Sequence, residues 1–269
     1  MSAVAGIGID AGSTTTKLVA VDGGGAIVAH AIEAAHPRVE DQVARLLDEL
    51  RARAGAGVGV PSVATGYGRK LVKEVTRQVT EITCHARGVF AALGTPGTLV
   101  DIGGQDSKVI RVGADGRAVD FLMNDKCAAG TGRFLENTAS RLGVPLDELG
   151  PRAIGARGEE AISSTCTVFA ESEIISLIAH GAELGSILKG LHRSLIGRIG
   201  AMVRGVGLER PLMLSGGVAR NVAVRELLGE LAGEPVVVPE DPQLMGAYGA
   251  AILALESSEG RFQAPTRRE

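Results

Sequence analysis

The stretch DAGSTTTKLVAV at residues 10–21 has a counterpart later in the chain, DIGGQDSKVIRV at residues 101–112. The two stretches align without a gap, and each contains an aspartate, a glycine and a lysine at matching positions. In each copy an apolar run ends in the aspartate, a glycine turn follows, and a second apolar run begins, which is typical of two strands joined by a turn. A Gly-rich turn and a third apolar run then follow in both copies. The sequence therefore predicts an internal repeat of similar α/β units.

Segments with the apolar spacing of a helix follow both copies, at Val39 to Leu50 and at Arg133 to Leu142. We predict two duplicated α/β domains whose glycine turns face each other across a nucleotide cleft. The first domain would contain residues 1–95 and a C-terminal helix at about 246–258. The second would contain residues 96–245.

Glycine turns between strands are suited to holding phosphate groups. Glycines and small hydroxyl residues present backbone N–H groups to phosphate oxygens, and an acidic residue at a strand end can hold a hydrated magnesium ion. Phosphates held from two sides suit a hydrolase. A third element, PLMLSGGVARN at residues 211–221, predicts a strand, a Gly-Gly turn that lets backbone approach a flat adenosine group, and a helix through Leu228. The chain has no GxxxxGK(S/T) motif, which excludes a P-loop.

Two cysteines lie in small, polar loops, Cys127 in NDKCAAGTG at residues 124–132 and Cys166 in SSTCTVF at residues 163–169. Each precedes a helix-like stretch, whose backbone N–H groups would stabilise a thiolate. A cubane iron-sulfur cluster needs four thiolates, so two loops suggest half a cluster that a second chain completes across a two-fold axis. Free cysteines are also common as small buried hydrophobic residues, and the residues alone leave both interpretations open. No CxxC occurs, which excludes a zinc ribbon or a bacterial ferredoxin pattern.

The overall composition excludes several classes of protein. The 269 residues carry a net charge of -3 and contain no long run of lysine or arginine, which argues against a nucleic-acid surface. The amino terminus lacks a basic segment with an apolar core, and no apolar stretch long enough for a membrane span follows. We therefore expect a cytoplasmic protein with no membrane partner, whose cysteines are thiols or metal ligands rather than disulfides.

Five short motifs together resemble a known family. They are GYGR at residues 66–69, CHA at 84–86, DIGGQD at 101–106, NDKCAAGTGRF at 124–134 and SSTCTVFAESE at 163–173. The phosphate and adenosine elements resemble those of the superfamily of acetate and sugar kinases, heat-shock chaperones and actin. The motifs with cysteines are similar to the activator, or component A, of 2-hydroxyacyl-CoA dehydratases, and ATP-binding subunits of benzoyl-CoA reductases share much of them. The resemblance implies an α/β fold of two duplicated ribonuclease H-like, actin-like ATPase domains.

The resemblance covers the chain from about Gly6 to Leu255 and leaves Glu259 to Glu269 as a polar tail that we expect to be loose. It implies a homodimer that holds one 4Fe-4S cluster through Cys127 and Cys166 of both chains, with one ATP or ADP per subunit. It also implies that a reduced flavodoxin or ferredoxin supplies an electron, which ATP hydrolysis drives on to a 2-hydroxyacyl-CoA dehydratase. By analogy with the family the third cysteine, Cys84, is not a ligand, and we expect it to be buried at the start of a helix.

With the family in view, roles can be assigned to the residues of the nucleotide site. Asp10 and Asp101 would hold Mg²⁺ through water, and Gln105 would orient the water that attacks the terminal phosphate. The residues expected to contact the phosphates, by side chain or backbone, are Gly12, Ser13, Thr14, Lys17, Gly103 and Gly104. Those expected around the adenosine are Gly216, Gly217 and Asn221, with Gln243 closing the site.

Two other functions fit parts of the sequence. An ATP-binding, electron-activating subunit of a benzoyl-CoA-type reductase, or of another double-cluster protein, would carry the same motifs, because the electron's destination lies in another polypeptide. A small-molecule kinase of the same superfamily would need an acceptor pocket, and the chain has no evident insertion for one. Two cysteine loops would also have no role in a kinase.

Overall fold

The computed structural model describes residues 3–163 and 166–258. The chain forms two compact units. Unit 1 contains the residues up to Gly94 together with those from Leu244 onward, and unit 2 contains Thr95–Gln243. The tail at residues 259–269, which the sequence predicts to be loose, lies outside the described residues.

Unit 1 is built on one sheet. Its strands and helices are β1 (Val4–Ala11), β2 (Thr15–Asp22), β3 (Ile27–Ala34), α1 (Val39–Ala54), β4 (Ser62–Thr65), β5 (Arg77–Gln78), α2 (Glu81–Leu93) and the C-terminal α8 (Met245–Ser258). The strand order is β3-β2-β1-β4-β5. The first three strands are antiparallel to one another in sequence, and β4 is parallel to β1.

Close backbone packing holds α8 against β1 and α2. A Cβ atom at Gly8 in β1 would lie 1.9 Å from the carbonyl oxygen of Ala247, and one at Gly249 would lie 1.8 Å from that of Cys84 in α2. No side chain fits at such distances, so both crossings require glycine. The alanine-rich sequence of α8 has the same effect, because small side chains let the helix approach the sheet.

Unit 2 is built on a second sheet. Its strands and helices are β6 (Gly97–Ile102), β7 (Ser107–Val112), β8 (Ala118–Asn124), α3 (Gly132–Leu142), α4 (Leu149–Gly155), α5 (Thr167–Ala179), α6 (Leu184–Val206), β9 (Leu212–Ser215) and α7 (Val222–Ala232). The strand order is β8-β7-β6-β9, with β6 antiparallel to β7 and parallel to β9. The long helix α6 buries Ile187, Leu191, Leu195 and Ile199 at helical spacing. Each such side chain stabilises the fold by about 1.5–3 kcal/mol.

The repeat found in the sequence is present in both units as a three-stranded antiparallel meander, β1-β2-β3 and β6-β7-β8. In each meander the aspartate and the lysine of the repeat are direct cross-strand neighbours, Asp10 with Lys17 and Asp101 with Lys108. The predicted α/β class is thereby confirmed.

The helix boundaries differ slightly from those predicted. Helix α1 starts at Val39 as predicted but runs past Leu50 to Ala54, where Gly55 adopts a left-handed conformation with φ 66° and ends it. Helix α3 begins at Gly132, one residue before the predicted start. Across residues 3–163 and 166–258, no helix is both long and apolar enough to cross a membrane.

Candidate functional site

The first glycine turn, between β1 and β2, places a carboxylate and an ammonium group side by side. Lys17 Nζ donates to Asp10 Oδ2 at 3.1 Å, and both side chains are largely buried. The hydroxyl of Thr14 in the same turn is buried and has no hydrogen-bond partner within the described part of the chain. Such an atom costs about 1–3 kcal/mol, so a ligand oxygen that reached it would supply a bond that the protein lacks. This turn therefore fits a phosphate group.

Glycines surround the Asp10 carboxylate. A Cβ atom at Gly66 would lie 2.5 Å from Asp10 Oδ1. One at Gly246 would lie 3.2 Å from Asp10 Oδ2 and 2.9 Å from Nε2 of the buried His85. Glycine at both positions keeps side chains away from the carboxylate. The space beside Asp10 therefore fits a carboxylate that holds a hydrated cation.

The second glycine turn, between β6 and β7, is more fully paired than the first. Lys108 Nζ donates to Asp106 Oδ2 at 2.8 Å and to Asp101 Oδ2 at 3.4 Å. The hydroxyl of Ser215 donates to Asp101 Oδ1 at 2.7 Å. Both carboxylate oxygens of the buried Asp101 are thus engaged by the protein. A magnesium ion held through Asp101 would compete with Lys108, whereas Asp10 is paired through one oxygen with Lys17.

The tip of this second turn carries three of the predicted site residues. The backbone N–H of Gly103 donates to the Asp106 carbonyl at 3.0 Å and closes the turn. A Cβ atom at Gly103 would lie 2.6 Å from Asp106 Oδ1, so only glycine fits there. Gly104 and Gln105 follow, and the side chain of Gln105 is exposed. An exposed amide at this position is able to reach a water molecule or a ligand.

The adenosine element forms a tight turn after β9. Gly216 has φ 87°, and a Cβ atom there would lie 2.3 Å from the Ile102 carbonyl oxygen. Its N–H donates to the Pro242 carbonyl at 2.9 Å. A Cβ atom at Gly217 would lie 3.7 Å from Gln243 Nε2. The structure therefore brings together Gly216, Gly217 and Gln243, which the sequence separates.

Asn221 has a structural role that the sequence did not indicate. Its Oδ1 accepts hydrogen bonds from the N–H groups of Ala223 and Val224 at 3.0 and 3.3 Å and so caps α7. Its Nδ2 lies 2.9 Å from Nε2 of His192, whose Nδ1 lies 2.7 Å from the Leu188 carbonyl oxygen. The amide is therefore engaged within unit 2, and a contact between Asn221 and adenosine stays a prediction.

The buried His192 makes the stability of this cap depend on pH. Burial lowers the pKa of His192 below its ordinary value of 6.5. Its Nε2 accepts from the Asn221 amide, so protonation would place two donors face to face. Because the unfolded chain binds this proton more readily, the contribution of His192 is complete above about pH 6.5 and decreases as the pH falls below it.

We expect His192→Gln, which has no titratable group, to show a shallower loss of unfolding free energy between pH 7 and pH 5 than the natural chain. At pH 8 the variant should be about 1–3 kcal/mol less stable, since its amide replaces a well-fitted buried ring. Urea unfolding at several pH values measures both effects. Parallel pH curves for the two proteins would show that His192 is not the group that titrates.

The three cysteines differ in exposure. Cys127 and Cys166 are exposed, whereas Cys84 is fully buried in α2. Burial raises the pKa of the Cys84 thiol to about 12, so this group remains protonated at neutral pH. A thiol binds metal as the thiolate. Cys127 and Cys166 are therefore the thiols that a metal can reach.

The loop around Cys127 is fixed by a side chain that the sequence analysis missed. Asn124 Nδ2 donates to the carbonyl oxygens of Cys127 and Ala129 at 2.8 and 3.1 Å, and its Oδ1 accepts from the Cys127 N–H at 3.2 Å. An asparagine a few residues before a glycine-rich turn is a known turn signal and could have indicated this role. Cys166 occupies the N-cap of α5, where the helix dipole favours negative charge.

The donor set of one chain is incomplete for a metal cluster. Within the residues that the structure describes, no group of three or more histidine, cysteine, aspartate or glutamate side chains is placed to hold a metal ion. Two reachable thiols per chain are half of what a cubane cluster needs. The residues present therefore fit a cluster shared by two chains.

Helix α5, which follows Cys166, presents an apolar surface. The large apolar side chains on it that are more than 40% exposed are Val168, Phe169, Ile175 and Ile178. Groups of exposed apolar side chains mark sites of interaction with other molecules more often than isolated ones do. The surface next to Cys166 thus has the character of an interface.

Comparison with known proteins gives the geometry a family. The chain matches the model of the BadF/BadG/BcrA/BcrD ATPase family over residues 7–254. The activator of lactoyl-CoA dehydratase from Anaerotignum propionicum is 41% identical over 256 residues, which cover 94% of this chain and 98% of the relative. A benzoyl-CoA reductase subunit from Thauera aromatica is 33% identical over 195 residues, which cover 70% of this chain and 68% of the relative.

A solved structure is similar over nearly the whole chain. It is the activator of the 2-hydroxyisocaproyl-CoA dehydratase from Clostridium difficile with bound ADPNP, with a TM-score of 0.86 and 38% identity. The match covers 97% of this chain and 99% of that chain. The family resemblance inferred from five motifs is confirmed, and the chain belongs to the BadF/BadG/BcrA/BcrD ATPase family.

Proposed function

We propose that this chain is an ATP-driven one-electron donor that activates a 2-hydroxyacyl-CoA dehydratase. The family and the relatives named as dehydratase activators support the proposal. The observation that carries it is that unit 2 contains both a phosphate-type glycine turn and two exposed cysteines, Cys127 and Cys166. Phosphate binding and thiolate ligands on one compact unit suit a protein that links ATP to a redox centre.

Cys127 and Cys166 of two copies would supply the four thiolates of one 4Fe-4S cluster in a homodimer. When bound, the cluster would accept and release one electron. The chain contributes a backbone fixed by Asn124 around the first cysteine and the start of α5 around the second. The exposed apolar side chains of α5 support a dimer or partner contact beside the cluster, because such a contact would remove them from water.

ATP would bind through the two glycine turns and the adenosine turn. The residues proposed to contact its phosphates are Gly12, Ser13, Thr14, Lys17, Gly103 and Gly104. Those proposed around adenosine are Gly216, Gly217, Asn221 and Gln243. Magnesium would neutralise charge on the phosphates. Asp10 is the stronger candidate to hold its water shell, because Asp101 is already bonded to Lys108 and Ser215.

The electron donor would be a reduced flavodoxin or ferredoxin, and the site of action would be the cytoplasm. ATP can act on electron transfer only by binding two states of the protein with different affinity. The chemistry on the acyl-CoA would belong to the partner enzyme, and this chain would not bind that substrate.

A second candidate is the ATP-binding subunit of a benzoyl-CoA-type reductase or of another double-cluster protein, favoured by the similarity to the benzoyl-CoA reductase of Thauera aromatica. Purification of the tagged chain under strict anaerobiosis, followed by identification of the bound partner, separates the two candidates. A 2-hydroxyacyl-CoA dehydratase that becomes active only with this chain and ATP supports the first candidate. A ring-reducing enzyme in its place would refute it. A colourless, iron-free protein that phosphorylates a small molecule would instead establish a kinase.

Gln105→Ala is expected to lower the turnover number for ATP hydrolysis by about 100-fold while changing nucleotide affinity little. The reason is that a group that orients the attacking water acts mainly in the transition state. Steady-state hydrolysis and nucleotide titration measure the two quantities separately. The exposed Gln78 offers a matched control, since Gln78→Ala should hydrolyse ATP normally. An unaltered rate in Gln105→Ala would show that the water is oriented by another group.

A further inference from the structure

Helix α3 is attached by its backbone to the second glycine turn. The N–H of Gly132 donates to the Gly103 carbonyl at 2.8 Å, and the N–H of Arg133 donates to the Gly104 carbonyl at 2.8 Å. The first N–H groups of a helix have no partners inside the helix, and here the glycine turn supplies two acceptors. The start of α3 is therefore bonded directly to the turn proposed to hold phosphates.

Gly132 also contacts the adenosine element. A Cβ atom at this position would lie 3.0 Å from the Gly103 carbonyl oxygen, 3.1 Å from Val218 Cγ2 and 3.4 Å from Gly104 Cα. Val218 belongs to the short helical turn Gly217–Arg220, which follows Gly216. The glycine turn, the adenosine element and α3 thus meet at one residue that has no room for a side chain.

The Cys127 loop is joined to the same point. Thr131, directly before Gly132, is fully buried, and its hydroxyl donates to the Ala128 carbonyl at 2.6 Å. Its N–H donates to the same carbonyl at 3.1 Å. At the other end of the loop, Asn124 bonds to the backbone of Cys127 on both sides of its amide. Held at both ends, the loop has to follow the start of α3.

Peptide geometry links this attachment to the phosphates. In a trans peptide the C=O of one residue and the N–H of the next point in opposite directions. Because the carbonyls of Gly103 and Gly104 point towards α3, the N–H groups of Gly104 and Gln105 point away from it. A phosphate oxygen that binds these N–H groups pulls on the two peptide planes whose carbonyls hold α3.

We infer that Gly132 is a positioning residue that couples the nucleotide state to the Cys127 loop through these two peptide planes. The inference rests on the proposed function, in that ATP and the Cys127 thiolate have to belong to one mechanism. A side chain at residue 132 would press on the Gly103 carbonyl and on Val218 and so fix the planes in one orientation.

Hydrogen exchange of the full chain, purified anaerobically with its iron, tests the coupling. Exchange is read by mass spectrometry in peptides that cover residues 124–134, once with Mg·ADP and once with magnesium and a non-hydrolysable ATP analogue. In the natural protein the rates should differ at least about fivefold between the two states, the low end of ordinary coupling between sites. In Gly132→Ala the difference should disappear. Gly197→Ala in α6, where an added Cβ atom meets nothing within 4 Å, should retain it.

A second pair of variants covers the case in which Gly132→Ala fails to fold. Arg133→Pro removes the N–H that bonds to Gly104, at a first-turn position where helices tolerate proline. Arg133→Ala loses the same side chain but keeps that N–H. The nucleotide-dependent difference should be lost in the proline variant and kept in the alanine variant.

Equal exchange in both nucleotide states of a natural protein that binds iron and nucleotide would overturn the coupling and leave the proposed function standing. A full difference in folded Gly132→Ala or Arg133→Pro would overturn it as well. Natural protein that binds neither iron nor nucleotide would overturn the proposed function, and the coupling with it.

Discussion

Replacing Cys127 or Cys166 by alanine is expected to abolish iron binding. The natural protein, purified without oxygen, should contain about four irons per dimer, the content of one cubane cluster. Either substitution leaves a dimer with only two of the four thiolates, and two thiolates cannot hold a cubane. Iron and sulfide analysis, together with the visible absorbance of the protein, measures the loss.

The control for this experiment is the third cysteine. Cys84 is buried in unit 1, and burial raises the pKa of its thiol to about 12. Cys84→Ala should therefore leave the iron content unchanged. Four irons in each monomer of the natural protein would contradict a cluster shared between two chains, and so would normal iron content in Cys127→Ala.

Asp10→Asn is expected to lower magnesium-dependent ATP hydrolysis on the order of 1000-fold, the loss found when a group that stabilises transition-state charge is removed. Asparagine keeps the size of the side chain and fits between Gly66 and Gly246, but it removes the negative charge that would hold the hydrated cation. The iron content should remain near that of the natural protein, because Asp10 lies in unit 1 and both exposed cysteines lie in unit 2. Hydrolysis rates at several magnesium concentrations measure the effect.

Asp101→Asn provides the comparison, because it removes the matching carboxylate of the repeat. It should also impair hydrolysis, and it should lower the stability of unit 2 as well, since the buried Lys108 is left with Asp106 as its carboxylate partner among the bonds described above. Hydrolysis at the natural rate in Asp10→Asn would rule out the magnesium role of this residue.

The sequence was sufficient to predict the fold because the signals of the repeat are local. Alternating apolar positions and turn glycines determine β1-β2-β3 and β6-β7-β8 within about 25 residues each, and the same local pattern marks α1 and α3. The alignment of the two copies even pairs Asp101 with Lys108 as it pairs Asp10 with Lys17, which are cross-strand neighbours in the structure.

The site was predicted less completely because its details depend on residues that are distant in sequence. Nothing near Asp101 indicates that Ser215 will donate to it. Nothing near Asn221 indicates that its amide will be held by His192. The contact between Gly132 and Gly103 likewise requires the folded unit. The letters also do not distinguish a buried cysteine from an exposed one, so the family resemblance was needed to select two of three.

The reduction potential of the iron-sulfur cluster in two nucleotide states tests the link between ATP and the electron most directly. Binding linkage is reciprocal, so if ATP changes the cluster's environment, the potentials with Mg·ADP and with a non-hydrolysable ATP analogue have to differ. Ordinary coupling of ~1–3 kcal/mol corresponds to a difference of about 40–130 mV for a one-electron centre. An anaerobic redox titration followed by electron paramagnetic resonance should show a difference of this size. Identical potentials in protein with nucleotide bound in both states would contradict an ATP-driven electron donor.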